Sequence, residues 1–135
     1  MIAAVIDTNV LVAALMSKHP DSATRRTLMA VADGKAVVLI APEILAEYRD
    51  VLHRDYLKIS EDEADRVIEL FVRLGKPMSP VHADDVMPDE DDRVFYEVAL
   101  AGAADNARLV TGNLKHYPVS PIVVTPAEFC SMLGV

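Results

Sequence analysis

Short apolar runs without polar interruption recur along this chain between segments of helical spacing, and that alternation restricts the folds open to it. Ile2–Ile6 (IAAVI) and Ala36–Ala41 (AVVLIA) have strand length and lack a polar face. Such strands suit a sheet covered on both sides. Asn9–Met16 reads as helical. Ser22–Asp33 sets Leu28, Val31 and Ala32 at helical spacing, with Gly34 as a stop. Pro42 suits the first turn of a helix reaching about His53, with Ile44, Leu45, Tyr48, Val51 and Leu52 as its apolar stripe. Ser60–Glu63 reads as a capping box ahead of Val67, Ile68, Phe71 and Leu74, and Gly75 closes that helix. Pro77–Pro88 reads as a loop with room for a short strand, Asp89–Ala104 as a helix, and Ala107–Thr111 (ARLVT) and Ile122–Val124 as strands. A second capping box, Thr125–Glu128, starts a final helix. Strands alternating with helices predict an α/β fold with a mostly parallel sheet. The 135 residues are expected to form a single domain, 1–135.

Composition removes several classes. A 52% hydrophobic content rules out a disordered chain, and one cysteine, Cys130, rules out an internal disulfide. No Cys/His cluster has zinc spacing; His19, His53, His82 and His116 are scattered and read as structural or exposed. Methionines such as Met29 and Met78 read as core filler. The opening apolar stretch is broken by Asp7 and Asn9 and has no basic leader, so a cytoplasmic protein is expected. A net charge of −8 argues against gripping nucleic acid with a broad basic surface. It leaves a nuclease open, because carboxylates gathered around a divalent metal add negative charge of their own.

The acids are placed where such a site would be built. In parallel sheets, ligands bind beyond the carboxyl ends of the strands. Asp7 falls where the first apolar run ends, with Thr8 and Asn9 beside it. Thr111-Gly112-Asn113 follows ARLVT in the same way. Asp92 has Phe95, Tyr96 and Ala99 at i+3, i+4 and i+7, and Glu47 borders the stripe formed by Ile44 and Val51. Both acids therefore share a helix face with apolar residues. Two or three acids converging at a sheet edge make an oxygen site suited to Mg²⁺ or Mn²⁺. Each residue also has a plainer reading: an Asx turn and N-cap at Asp7-Thr8-Asn9, a helix-dipole acid at Asp92, a solvated stripe edge at Glu47, a turn at Asn113.

The ordered set resembles a known family. A hydrophobic strand leads into Asp7-Thr8-Asn9-Val10-Leu11, Glu47 lies within PEILAEYRDVL, and Asp92 lies within DEDDRVFYEVALAGAADNARLVTGN. Together these are similar to the PIN domain family, in its branch of VapC-like ribonucleases that serve as toxins of toxin–antitoxin pairs. The resemblance implies a three-layer α/β/α sandwich and an acidic pocket for Mg²⁺ or Mn²⁺. It also implies cleavage of single-stranded RNA, an antitoxin protein partner and a homodimer. Asp7, Glu47 and Asp92 match the three shared acids, with Asp91 the alternative third; Phe95, three residues beyond Asp92, favours Asp92. Thr8, Asn9 and Thr111 match supporting polar positions. Asn113 stands where many members have a fourth acid, which puts a second tightly held metal in question. Arg25, Arg26 and Lys115 are candidates for steering the nucleic-acid backbone. A catalytically idle module binding RNA or a protein partner is the alternative. An aspartate-nucleophile phosphatase is disfavoured, because Asn9 stands where a second Asp is needed.

Overall fold

A computed structural model describes all residues, Met1–Val135. Five strands, β1 (Ala3–Ile6), β2 (Val37–Ile40), β3 (Lys76–Pro77), β4 (Arg108–Val110) and β5 (Val123–Val124), pair in parallel in the order β3-β2-β1-β4-β5. Six helices, α1 (Thr8–Met16), α2 (Ala23–Ala32), α3 (Pro42–Leu52), α4 (Glu61–Leu74), α5 (Arg93–Ala101) and α6 (Pro126–Leu133), complete a three-layer α/β/α arrangement. Every residue of β1 is buried, as its unbroken apolar sequence requires.

One group of helices joins α2 to α1 and α6; the other joins α3 to α4 and α5. An aromatic group centres the second. Tyr48 of α3 meets Phe71 of α4 edge-on at 5.6 Å between ring centres, and Phe95 of α5 lies 6.3 Å away. The buried Tyr48 hydroxyl donates to the Ile6 carbonyl, which satisfies its polar tip and ties α3 to the last residue of β1. Glu47, one residue earlier on α3, is thereby fixed beside the end of that strand.

Several boundaries differ from the sequence reading. Asp89–Ala104 is not one helix: a 3-10 turn (Glu90–Asp92) precedes α5 and another (Ala103–Asp105) follows it. At the entry, the Asp89 side chain accepts from the Asp91 N–H at 3.0 Å, an Asx-type bond that competes with regular helix. At the exit, Gly102 closes α5 against Ala107 and Leu39. β3 is an edge strand of two residues, and its Pro77 lacks a donor for a further neighbour. The Thr125–Glu128 capping box is complete, whereas the Glu63 carboxylate meets the Ser60 hydroxyl instead of the backbone N–H, leaving half a box. Met78 packs against the core, but Met29 is exposed. No helix is long and apolar enough to cross a membrane.

Gly75 is required by packing and not by backbone angle. A Cβ there would strike the Phe71 carbonyl and come within 2.8 Å of Ile40 Cγ2. Gly75→Ala should therefore destabilise the fold by about 1–3 kcal/mol, measured by urea unfolding. An unchanged midpoint would show that α4 and β2 separate without cost.

Candidate functional site

The strand order reverses direction between β1 and β4, and in parallel sheets the crevice at such a point takes ligands. Asp7 lies there, directly after β1, with its N–H bonded to the Val110 carbonyl at 2.9 Å. It occupies the N-cap position of α1 but makes no side-chain cap bond. Instead its Oδ2 accepts from Thr111 Oγ1 at 2.8 Å, from the Tyr117 hydroxyl at 3.0 Å and from Asn9 Nδ2 at 3.3 Å. Burial pushes the Asp7 carboxyl above its usual range, while the bonds from Thr111 and Tyr117 pull it back.

Around Asp7 the chain closes a cavity of about 480 Å³. Asp7, Thr8, Glu47 and Asp92 all face it, and so do Asp89 and Asp91. The Thr8 hydroxyl donates to Glu47 Oε2. Burial raises the Glu47 carboxyl, opposed by that hydroxyl and aided by the charges of Asp7 and Asp91. Asp92 ends the 3-10 turn, with its side chain only 15% exposed. Its Oδ2 is buried without a hydrogen-bond partner. His116 Nδ1 stands 3.4 Å away, within ion-pair reach but outside hydrogen-bond geometry. Burial first, and then the charges of Asp7 and Asp89, raise Asp92 from 3.8 to about 6. Asp91 is exposed, so the two neighbouring acids are not equivalent.

Asn9, Thr111 and Asn113 act around this lining. Asn9 Oδ1 accepts from the Gly112 N–H at 3.0 Å, pinning the turn after β4 to the start of α1. Thr111 is fully buried and bridges Asp7 to the Asn113 N–H. The Asn113 amide Nδ2 lies 2.9 Å from His116 Nε2, and Asn113 is not among the residues lining the cavity. Three lining residues escaped the sequence reading. His116 was one of four scattered histidines, Arg54 fell past the end of α3, and Tyr56 belongs to a short 3-10 turn (Asp55–Leu57). Tyr117, which holds Asp7, carried no motif signal. The expected steering residues lie elsewhere: Arg25 and Arg26 donate to the carbonyls of Ala14, Asp21 and Val135, and Lys115 is absent from the lining.

The PIN domain family model matches residues 3–115, and the chain belongs to that family. In fold it is similar to a chain in the crystal structure of VapBC2 from Rickettsia felis bound to a DNA fragment from their promoter. That match has a TM-score of 0.54 and 20% sequence identity, and covers 93% of this chain and 97% of the other. A search of curated proteins finds no match.

Asp92 predicts a pH signature in the metal-free protein. Its folded carboxyl holds a proton more tightly than the unfolded one, so the stability it contributes is full below 3.8 and is lost as pH rises through about 6. Melting of the wild type in EDTA should therefore drop across that window relative to Asp92→Asn, which has no such proton to lose. Parallel melting curves for the two proteins would show that Asp92 titrates normally.

Proposed function

We propose that this chain is a metal-dependent endoribonuclease that hydrolyses phosphodiester bonds in single-stranded RNA and acts as the toxin of a toxin–antitoxin pair. The observation that carries the reading is Asp92 Oδ2, a buried carboxylate oxygen with no donor, on a cavity shared with Asp7 and Glu47. A carboxylate left so is stabilised by a cation, and this oxygen-only set suits Mg²⁺ or Mn²⁺. No three Asp, Glu, His or Cys side chains stand together as a ready-made cage. A bound ion would therefore depend on water and substrate oxygens for the rest of its shell. Membership of the PIN domain family supports the same chemistry.

In this reading Asp7 and Asp92 hold the ion, directly or through water, and Asp92 is preferred over the exposed Asp91. When bound, the ion neutralises phosphate charge and makes a nearby water more acidic. The protein's own groups supply orientation and proton transfer. Thr111, Tyr117 and Asn9 fix the Asp7 carboxylate. Thr8 fixes Glu47 through Oε2, leaving Oε1 to orient the attacking water and take its proton as the new phosphorus–oxygen bond forms; the bond to the leaving ribose oxygen breaks, and that oxygen takes a proton from solvent. Asn113 stands where many family members have a further acid, and its lack of charge favours a single ion. An antitoxin partner belongs to the reading, supported by the fold shared with a chain of the VapBC2 complex. A homodimer and a cytoplasmic place of action belong to it as well, on the family resemblance alone.

Single-stranded RNA should be cut in Mn²⁺ and left intact in EDTA. Asp7→Asn keeps the shape and most hydrogen bonds while removing one charge, so cleavage should fall by orders of magnitude. In EDTA the same variant should be level with the wild type or more stable by up to about 2 kcal/mol, because a buried, charge-crowded site is relieved. Undiminished cleavage by Asp7→Asn would remove Asp7 from the mechanism. A wild type that binds RNA without cutting it in Mn²⁺ would leave the idle interaction module in place of the enzyme.

A further inference from the structure

The cleft is lined by more than the three acids Asp7, Glu47 and Asp92: Val12, Val51, Leu57, Tyr56 and Arg54 also face it. Its volume of about 480 Å³ exceeds an ion and its shell, since a water occupies about 30 Å³. These further residues therefore border room that an ion alone does not fill.

Tyr56 is the unusual member. It is 72% exposed at the edge of this cavity, on a 3-10 turn closed by Lys58 in the left-handed region at φ 57. The turn keeps its shape through the Lys58 N–H bonded to the Asp55 carbonyl at 3.1 Å. Beside the ring, Arg54 Nη2 is held by Asp50 at 2.9 Å, and Nη1 lies 3.4 Å from the Tyr56 hydroxyl. Arg54 is the single Lys or Arg among the lining residues. Its charge reaches Glu47, where it works against the upward push of burial. A polyanion entering a protein of net charge −8 has this cation on the cleft lining to meet it.

We propose that Tyr56 and Arg54 form a nucleotide subsite: an unpaired base next to the scissile phosphodiester stacks on the Tyr56 ring, and an adjoining phosphate pairs with the Arg54 guanidinium. The subsite rests on the endoribonuclease reading. An aromatic face beside a cation suits a flexible single strand, because every base offers a π-face and a paired base cannot reach the ring. Asp50 orients the guanidinium without neutralising it fully, as an exposed ion pair contributes little. The apolar shelf of Val12, Val51 and Leu57 flanks the ring and shields the stacked base from water.

The test is steady-state cleavage of one labelled single-stranded oligoribonucleotide in Mn²⁺. Tyr56→Ala should raise KM about 5- to 100-fold with little change in kcat, the range expected for one stacked base. Tyr56→Phe should retain most of the wild-type KM. Replacing the base beside the cut by an abasic residue should cost the wild type as much as Tyr56→Ala does, and cost Tyr56→Ala little more. Arg54→Ala should raise KM and flatten its dependence on salt. An unchanged KM in Tyr56→Ala, an equal loss in Tyr56→Phe, or an abasic penalty of the same size in wild type and Tyr56→Ala would overturn the subsite. If the wild type cuts no RNA at all, the nuclease reading fails instead. The subsite then stands on fluorescence anisotropy of the same oligomer, where equal affinities of wild type and Tyr56→Ala would end it.

Discussion

The buried carboxylate of Asp7 is the constraint around which the rest of this molecule is arranged. It sits at the carboxyl end of the central strand, where water is scarce and an isolated charge is costly. Three donors meet it: Asn9 from the adjoining start of α1, and Thr111 and Tyr117 from the distant segment beyond β4. Those bonds weld β1 to β4 at the point where the sheet order reverses. Asn9 adds a bond to the Gly112 N–H, so the turn after β4 has little freedom. One buried acid thus fixes the shape of the crevice that it lines.

What surrounds Asp7 is deliberately incomplete as a folded interior. Buried polar groups are normally paired, yet Asp92 Oδ2 has no donor and its carboxyl is raised to about 6. Asp7 and Glu47 are raised as well, each chiefly by burial. Three acids that all prefer a proton more than usual, chiefly through burial, are acids held away from water. Strain of this kind persists only where surrounding structure holds it in place. Here the holding is done by the Tyr48 hydroxyl on the Ile6 carbonyl, by Thr8 on Glu47 and by the Asx bond of Asp89 that shapes the turn carrying Asp92.

The sequence made the scaffold and the acids readable for a physical reason. A buried parallel strand needs an unbroken apolar run, so an acid directly after IAAVI announces a strand end. Glu47 and Asp92 were legible because each sits among apolar residues at helical spacing, a costly place for a carboxylate that only needs water. The rest of the cleft lining had no such signature. Tyr56 reaches it from a three-residue 3-10 turn too short for periodicity to register, and Arg54 from the residue just before that turn. Tyr117 and His116 depend on where the chain goes after β4, through another 3-10 turn (Leu114–His116). Asp92 itself was placed inside a helix, because Asp and Glu at a helix start carry no mark separating a 3-10 entry from regular helix. Local pattern located the groups that break a pattern; groups positioned by irregular backbone had none to break.

The Asn at position 113 illustrates how one side chain resets its neighbours. Its amide lies 2.9 Å from His116 Nε2, and His116 Nδ1 lies 3.4 Å from the orphaned oxygen of Asp92. With the Asn113 Nδ2 donating, a neutral His116 carries its proton on Nδ1, on the side facing Asp92. A carboxylate at 113 would accept from the ring instead of donating to it, so Nε2 would carry the proton and the bare Nδ1 would face Asp92. Asparagine gives the opposite orientation. Asp92 is left with an N–H that faces it from 3.4 Å, outside hydrogen-bond geometry, and with no closer partner for its buried oxygen.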